Sequence, residues 1–211
     1  PFPERVDRIR ADLVFAQQAP APQKPDRIVV MLNNHFSPNP RSIEWQLRSW
    51  DWFCVEFAQA CDRLIEKYNC PIDFIPMCTN LWVDDRRSAA PVIDRMRRKD
   101  RVLWIQHEMS REEIMESISC SHLVISQRFH GLVFSILSGK PFIAIDGHAK
   151  IKNLVQDLQY GGIVNYYGMS MSAFWEAESR SKNTETFKPY TESARAQWID
   201  MSVAIKTALF G

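Results

Sequence analysis

Apolar and polar positions fall along this chain in blocks whose lengths and periods separate strands from helices. Arg27–Leu32 (RIVVML) is a short, almost wholly apolar run ended by Asn33-Asn34-His35, the pattern of a strand buried on both faces. From Ile43 to Tyr68 the positions Ile43, Leu47, Trp50, Cys54, Phe57, Cys61, Leu64 and Tyr68 recur at three- and four-residue steps, which predicts one long amphipathic helix. Pro71–Met77 predicts a second strand with a break near its end at Pro76. Ser88 is suited to cap a helix running to Arg98, with Pro91 tolerated in its first turn. Val102–Ile105 is a third strand, and Ser110 with Glu113 forms a capping box for a helix through Ile118.

The pattern is sharpest between Leu123 and Lys150. Leu123–Ser126 is strand-like, Gln127-Arg128-Phe129-His130 interrupts it as a polar turn, and Gly131–Ser138 has helical spacing. Gly139-Lys140-Pro141 ends that helix, Phe142–Ile145 is a second buried-type strand, and Asp146-Gly147-His148 follows. Two apolar strands joined through a helix make a βαβ unit and imply a parallel sheet covered on both faces. Ile151–Leu158 predicts a helix ended by Tyr160-Gly161-Gly162, Ile163–Tyr166 an edge strand and Ser172–Arg180 a helix. Lys182–Tyr190 reads as irregular, and Ser193–Leu209 as an amphipathic helix. The expected fold is α/β: a doubly wound, mainly parallel sheet of five to six strands flanked by helices. Residues 1–26 form an N-terminal segment and Pro-rich linker and 27–169 the Rossmann-like domain. Residues 170–211 are C-terminal helices that pack on this domain or on a partner domain.

Composition narrows the function classes. With 26 Lys+Arg against 25 Asp+Glu the net charge is +1, which gives no argument for nucleic acid. Arg86-Arg87 and Arg95–Lys99 read as a solvated helix face. No apolar run approaches membrane-spanning length. Five cysteines without CxxC spacing suit buried thiols in a reducing, cytoplasmic compartment.

In open α/β sheets ligands bind beyond the carboxyl ends of the strands, and Arg128, His130, Asp146 and His148 are expected at that edge. Arg128 and His130, two apart in an extended turn, are expected to project to one side, beside the N-terminus of the following helix. A guanidinium, an imidazole and a helix N-terminus together suit an anion bearing phosphate or carboxylate. The bland alternative is that Arg128 pairs with a carboxylate of the domain and His130 caps the helix. Asn33, Asn34 and His35, at the tip of the first strand, are candidates to line the same cleft. Asp146 either orients a hydroxyl or His148, or caps the next helix. Asp84-Asp85 reads as a helix-start charge pair with no third metal ligand placed nearby, and Glu108 is a candidate partner of Arg128. Trp45 and Trp52 stay open as sugar-stacking side chains.

Ser126, Arg128, His130, Gly139, Pro141, Ile143–Asp146 and Lys150 together resemble the C-terminal signature of polysaccharide pyruvyl transferases. His148 departs from the pattern, where an acidic residue is more usual. The resemblance implies a GT-B-like enzyme of two Rossmann-like domains that transfers pyruvate from phosphoenolpyruvate to a sugar as a ketal. By that resemblance His130 is the general acid, Arg128 holds the carboxylate or phosphate, and Lys150 is a further phosphate contact. Phosphoenolpyruvate is then the co-substrate, with no other cofactor and no assigned metal. A sugar or lipid-linked glycan is the acceptor, and the enzyme is cytoplasmic or peripheral to the inner membrane face. A chain opening without Met is expected to be a fragment, with another Rossmann-like domain or an oligomer partner completing the site. Two other readings stand beside it: a GT-B glycosyltransferase using a nucleotide sugar, and a non-catalytic binding module.

Overall fold

The computed structural model describes residues 21, 23–33, 43–81 and 83–210. Six strands, β1 (Arg27–Met31), β2 (Ile72–Phe74), β3 (Val102–Trp104), β4 (Ser121–Ser126), β5 (Phe142–Asp146) and β6 (Ile163–Asn165), form one sheet in the order β3-β2-β1-β4-β5-β6. Every pairing is parallel. The chain order reverses between β1 and β4, which makes their carboxyl ends the topological switch point of the sheet.

Strand parity builds two cores. Ile28, Val30, Leu123, Ile125, Ile143 and Ile145 face α1 (Ile43–Tyr68), α2 (Arg86–Arg95) and α6 (Met171–Arg180). Val29, Met31, Val124, Phe142 and Ala144 face α3 (Arg111–Ser119), α4 (Phe129–Leu137), α5 (Ala149–Asp157) and the start of α7 (Phe187–Phe210). Runs such as RIVVM are apolar at successive positions because both parities are buried.

α1 spans the predicted residues, and the Ser110–Glu113 capping box forms reciprocally. At the end of α4 the amides of Gly139 and Lys140 donate to the carbonyls of Ile136 and Ser135, with Gly139 at φ 62°. That is a Schellman stop, as Gly-Lys-Pro predicts.

Several boundaries differ from expectation. β2 ends at Phe74 rather than Met77: Ile75 still donates to Val30, but Pro76 has no amide to extend the ladder. α2 starts at Arg86, because the Asp85 carbonyl already accepts from Ser88 and Ala89; Ser88 is a buried helical residue, not the cap. The same helix stops at Arg95, since the buried Asp62 carboxylate takes the amides of Arg97 and Arg98. α5 ends through Gln159 at φ 51°, with the glycines after it. α7 begins at Phe187, inside the segment expected to be irregular, where the Phe187 ring packs against Phe142 and Tyr160.

Helix α6 and the start of α7 pack on this sheet. Glu178 of α6, almost wholly buried, accepts from Lys67 Nζ (2.7 Å) and the Tyr68 hydroxyl (2.5 Å) at the end of α1. Burial alone pushes its carboxyl up, but those two hydrogen bonds hold it below the ordinary value. Phe187 and Ala194 of α7 are buried in the α4-side core. Trp50 stacks on Phe53 and Tyr166, while Trp52 is 56% exposed and donates to the Met169 carbonyl. Among the described residues no helix is long and apolar enough to cross a membrane.

Candidate anion site at the switch point

The carboxyl ends of β1 and β4 are tied together before any ligand is considered. Gln127 donates its amide to the Met31 carbonyl, and its side-chain oxygen accepts from the Asn33 amide at 3.0 Å. Gln127 is 6% exposed, so this bond is shielded from water. Ser126 Oγ accepts from the Arg128 amide and donates to its carbonyl, both at 2.9 Å, which folds the chain sharply out of β4 and into α4. Gly131 lets that helix lie directly on the sheet: a Cβ there would stand 2.6 Å from Ser126 Oγ and 2.7 Å from Met31 Sδ.

Beside this junction lies an open cleft of about 310 Å³, walled by Asn33, Gln127, Arg128 and Phe129 on one side and Gly147, His148, Lys150 and Ile151 on the other. Two nine-residue helices begin at its rim, α4 after Arg128 and α5 after His148. The N-terminal ends of their dipoles favour negative charge. His148 caps α5, its Nδ1 accepting from the Lys150 amide at 3.3 Å, which leaves Nε2 as the protonated nitrogen of the neutral ring. The capping role weighed for Asp146 therefore belongs to His148. Asp146, half-buried at the end of β5, has its carboxyl pushed up by burial, with Lys152 opposing.

Of the residues singled out from sequence, Asn33, Arg128, His148 and Lys150 meet around the cleft. His130 does not line it: α4 starts at Phe129, two residues earlier than expected, so His130 is in the first helical turn and exposed. Arg128 is extended (φ −95°, ψ 125°) and His130 helical, so the shared extended turn expected for them is not formed. Asn34 and His35 lie outside the described residues, as does the Trp45 side chain.

Sequence reasoning missed two residues. Gln127 joins the strand tips, and Asp85, which stands at the start of α2 as read from the sequence, is a buried carboxylate. Asp85 is 2% exposed and takes Arg128 Nε at 3.0 Å and Arg128 Nη2, together with the amides of Met77 (2.9 Å) and Cys78 (3.0 Å). Arg128 thus has a carboxylate partner, and it is Asp85 rather than Glu108. Asp84 is held by Arg86 at 2.8 Å through two nitrogens. The one available signal was Asp85 standing just before a helix next to an apolar strand end, a position equally common for a solvated cap.

A parallel sheet of order 3-2-1-4-5-6 flanked by helices on both faces defines a Rossmann-like α/β domain, a fold whose ligands lie at the strand ends. Residues 7–148 match the family model described as polysaccharide pyruvyl transferase, and the chain belongs to that family. No curated protein matches the sequence. Among solved structures, the UDP-forming α,α-trehalose-phosphate synthase of Burkholderia vietnamiensis is 12% identical, with TM-score 0.52 over 89% of this chain and 46% of that one. The UDP-GlcNAc 2-epimerase of Neisseria meningitidis, solved bound to UDP-GlcNAc, is 13% identical, with TM-score 0.52 over 86% of this chain and 45% of that one. At such identities the likeness is one of fold, and the Rossmann-like sheet matches the GT-B architecture. The chain spans under half the length of either structure.

Proposed function

We propose that this chain is the phosphoenolpyruvate-binding half of a polysaccharide pyruvyl transferase, which moves pyruvate onto sugar hydroxyls as a ketal and releases phosphate. The supporting observation is the convergence of Arg128, Lys150 and two helix N-termini on one cleft at the switch point. Phosphoenolpyruvate carries both a carboxylate and a phosphate, and two helix starts with two cations can take one each.

In the reaction, a proton passes from His130 to the methylene carbon, which becomes a methyl group, and positive charge develops at the carbon bearing phosphate. A sugar hydroxyl adds there and loses its proton. Inorganic phosphate departs, and a second hydroxyl closes the ketal. Imidazole suits the first step because it exchanges protons near neutrality. Arg128 holds the carboxylate, and Lys150 offsets the charge on the departing phosphate. His130 stands one residue beyond the cleft wall at Phe129, in the first turn of α4. The acceptor, a sugar or lipid-linked glycan handled at the cytoplasmic side, occupies the face that the partner half covers. Asn33 on the cleft wall and Asp146 at the end of β5 are the groups assigned to the sugar hydroxyls in this reading.

Calorimetric titration of phosphoenolpyruvate into the chain tests this reading. Binding is expected in the wild type, lost in Arg128→Ala and retained in His130→Ala, since His130 acts on the proton rather than on the anion. Heat from UDP with none from phosphoenolpyruvate would replace the pyruvyl reading with a nucleotide-sugar glycosyltransferase. Silence with both ligands would favour a binding module that depends on another chain.

A further inference from the structure

A guanidinium has five N–H donors on two usable edges: a side edge formed by Nε and Nη2, and an end formed by Nη1 and Nη2. In Arg128 the side edge is filled, Nε and Nη2 both donating to the Asp85 carboxylate. Nη1 makes no hydrogen bond among the described residues. The Arg128 side chain is 21% exposed, and the residue lines the cleft. Asp85 cannot swing away, because its Oδ2 also holds the amides of Met77 and Cys78, where the chain leaves β2. Its own backbone starts α2, the amide donating to Cys78 and the carbonyl accepting from Ser88 and Ala89. The guanidinium plane is therefore set by the tip of β2 and the start of α2, two elements that contribute nothing else to the cleft wall.

We propose that Asp85 is a positioning residue: it fixes the Arg128 guanidinium so that its end edge meets a planar carboxylate in one orientation, and so selects a carboxylate-bearing ligand over a bare phosphate. This rests on the phosphoenolpyruvate reading above for the identity of the ligand, and on the Asp85–Arg128 geometry for the mechanism. A paired end-on contact has direction, whereas an unfixed cation attracts any anion by charge alone. Two effects of Asp85 thus oppose each other. Its negative charge lowers the attraction of the site for every anion, while its grip on the guanidinium favours the anion whose two oxygens fit the remaining edge. Charge acts alike on all ligands; orientation acts on their ratio.

The experiment titrates phosphoenolpyruvate and inorganic phosphate separately into the full chain, as wild type, Asp85→Asn and Arg128→Lys. Thermal melts are run beside each titration. The Arg128 Nε–H resonance, identified by its disappearance in Arg128→Lys, is recorded in the other two proteins. The wild type is expected to prefer phosphoenolpyruvate, and in Asp85→Asn that preference should fall roughly tenfold, the size of one lost hydrogen bond to a charged group. Phosphate affinity should hold or rise in the same variant, and the Nε–H signal should broaden. Both affinities moving by one common factor, with the signal unmoved, would overturn the proposal, because Asp85 would then act through its charge alone.

If Asp85→Asn does not fold, Arg128→Lys carries the comparison: it keeps the positive charge and the ion pair but cannot present two edges, so the preference should collapse there too. A wild type that takes phosphate but not phosphoenolpyruvate would sink the donor assignment and leave the Nε–H signal to decide the role of Asp85. Binding of neither anion would overturn both.

Discussion

Gly131 and Gln159 show how much one backbone position can decide. Gly131 is the contact point between α4 and the tips of β1 and β4, and the atoms a Cβ would strike are a hydrogen-bonded Ser126 hydroxyl and the buried Met31 sulfur. Neither can yield freely. Gly131→Ala is expected to cost about 1–3 kcal/mol by overpacking and to weaken anion binding by shifting Arg128. Urea denaturation and a phosphate titration on the same variant would check both; a change smaller than the error of the midpoint would mean that α4 moves without effort. Gln159, by contrast, ends α5 in a left-handed conformation that its side chain does not favour. The nearby Gly161 and Gly162 drew the prediction to themselves because glycine is the usual residue there. Those glycines answer to close approaches, Gly161 to Arg180 and Gly162 to the Phe142 carbonyl.

Elements were most legible where one period ran long. The register of α1 is held by Cys54, Phe57, Cys61 and Leu64, all buried on one face, so no local competitor could shift it. Element ends moved where single side chains from elsewhere in the chain set them: Asp62 stops α2 three residues early, and Phe187 starts α7 six residues early by packing on β5. The clamp of α6 on α1 yields a prediction of its own. The folded-state pKa of Glu178 lies below the ordinary carboxyl value, so its stabilising contribution is complete above the unfolded pKa and is lost as pH falls through the lower folded one. Glu178→Gln should therefore be less stable than wild type by about 1–3 kcal/mol near neutrality. The gap should narrow steadily below ~pH 4.3. Urea midpoints measured across that range would show it; a gap independent of pH would mean the hydrogen bonds matter without the charge.

At the scale of the molecule, the two-sided core determines which thiols can react. Cys54, Cys61 and Cys70 are buried, and burial pushes their thiols up, Cys54 to about 12 and Cys70 to about 11. Cys78 and Cys120 are partly exposed. A thiol reagent at neutral pH should modify Cys78 and Cys120 quickly, and the other three only at the rate of unfolding. Mass mapping of the modified protein would identify them, and fast labelling of Cys61 would contradict the packing of α1 on the sheet. The cleft is also a property of the whole: Arg128 is supplied by the turn between β4 and α4, its carboxylate anchor by the start of α2, and Lys150 by α5. Asp85 and Arg128 are 43 residues apart in the chain.

By itself the sequence determined the fold class, the buried strands, the long helix, the capping box, the Gly-Lys-Pro stop and the family resemblance. Each of these is local: a period, a cap or a contiguous motif is written in neighbouring residues. Tertiary structure alone decided the strand order, the switch point between β1 and β4, the partner of Arg128, and the separation of His130 from the cleft wall. These depend on which distant strands lie side by side, and on a two-residue shift in the start of α4, neither of which leaves a periodic trace in the chain. A buried carboxylate and a solvated one are the same letter until the fold brings an arginine to it.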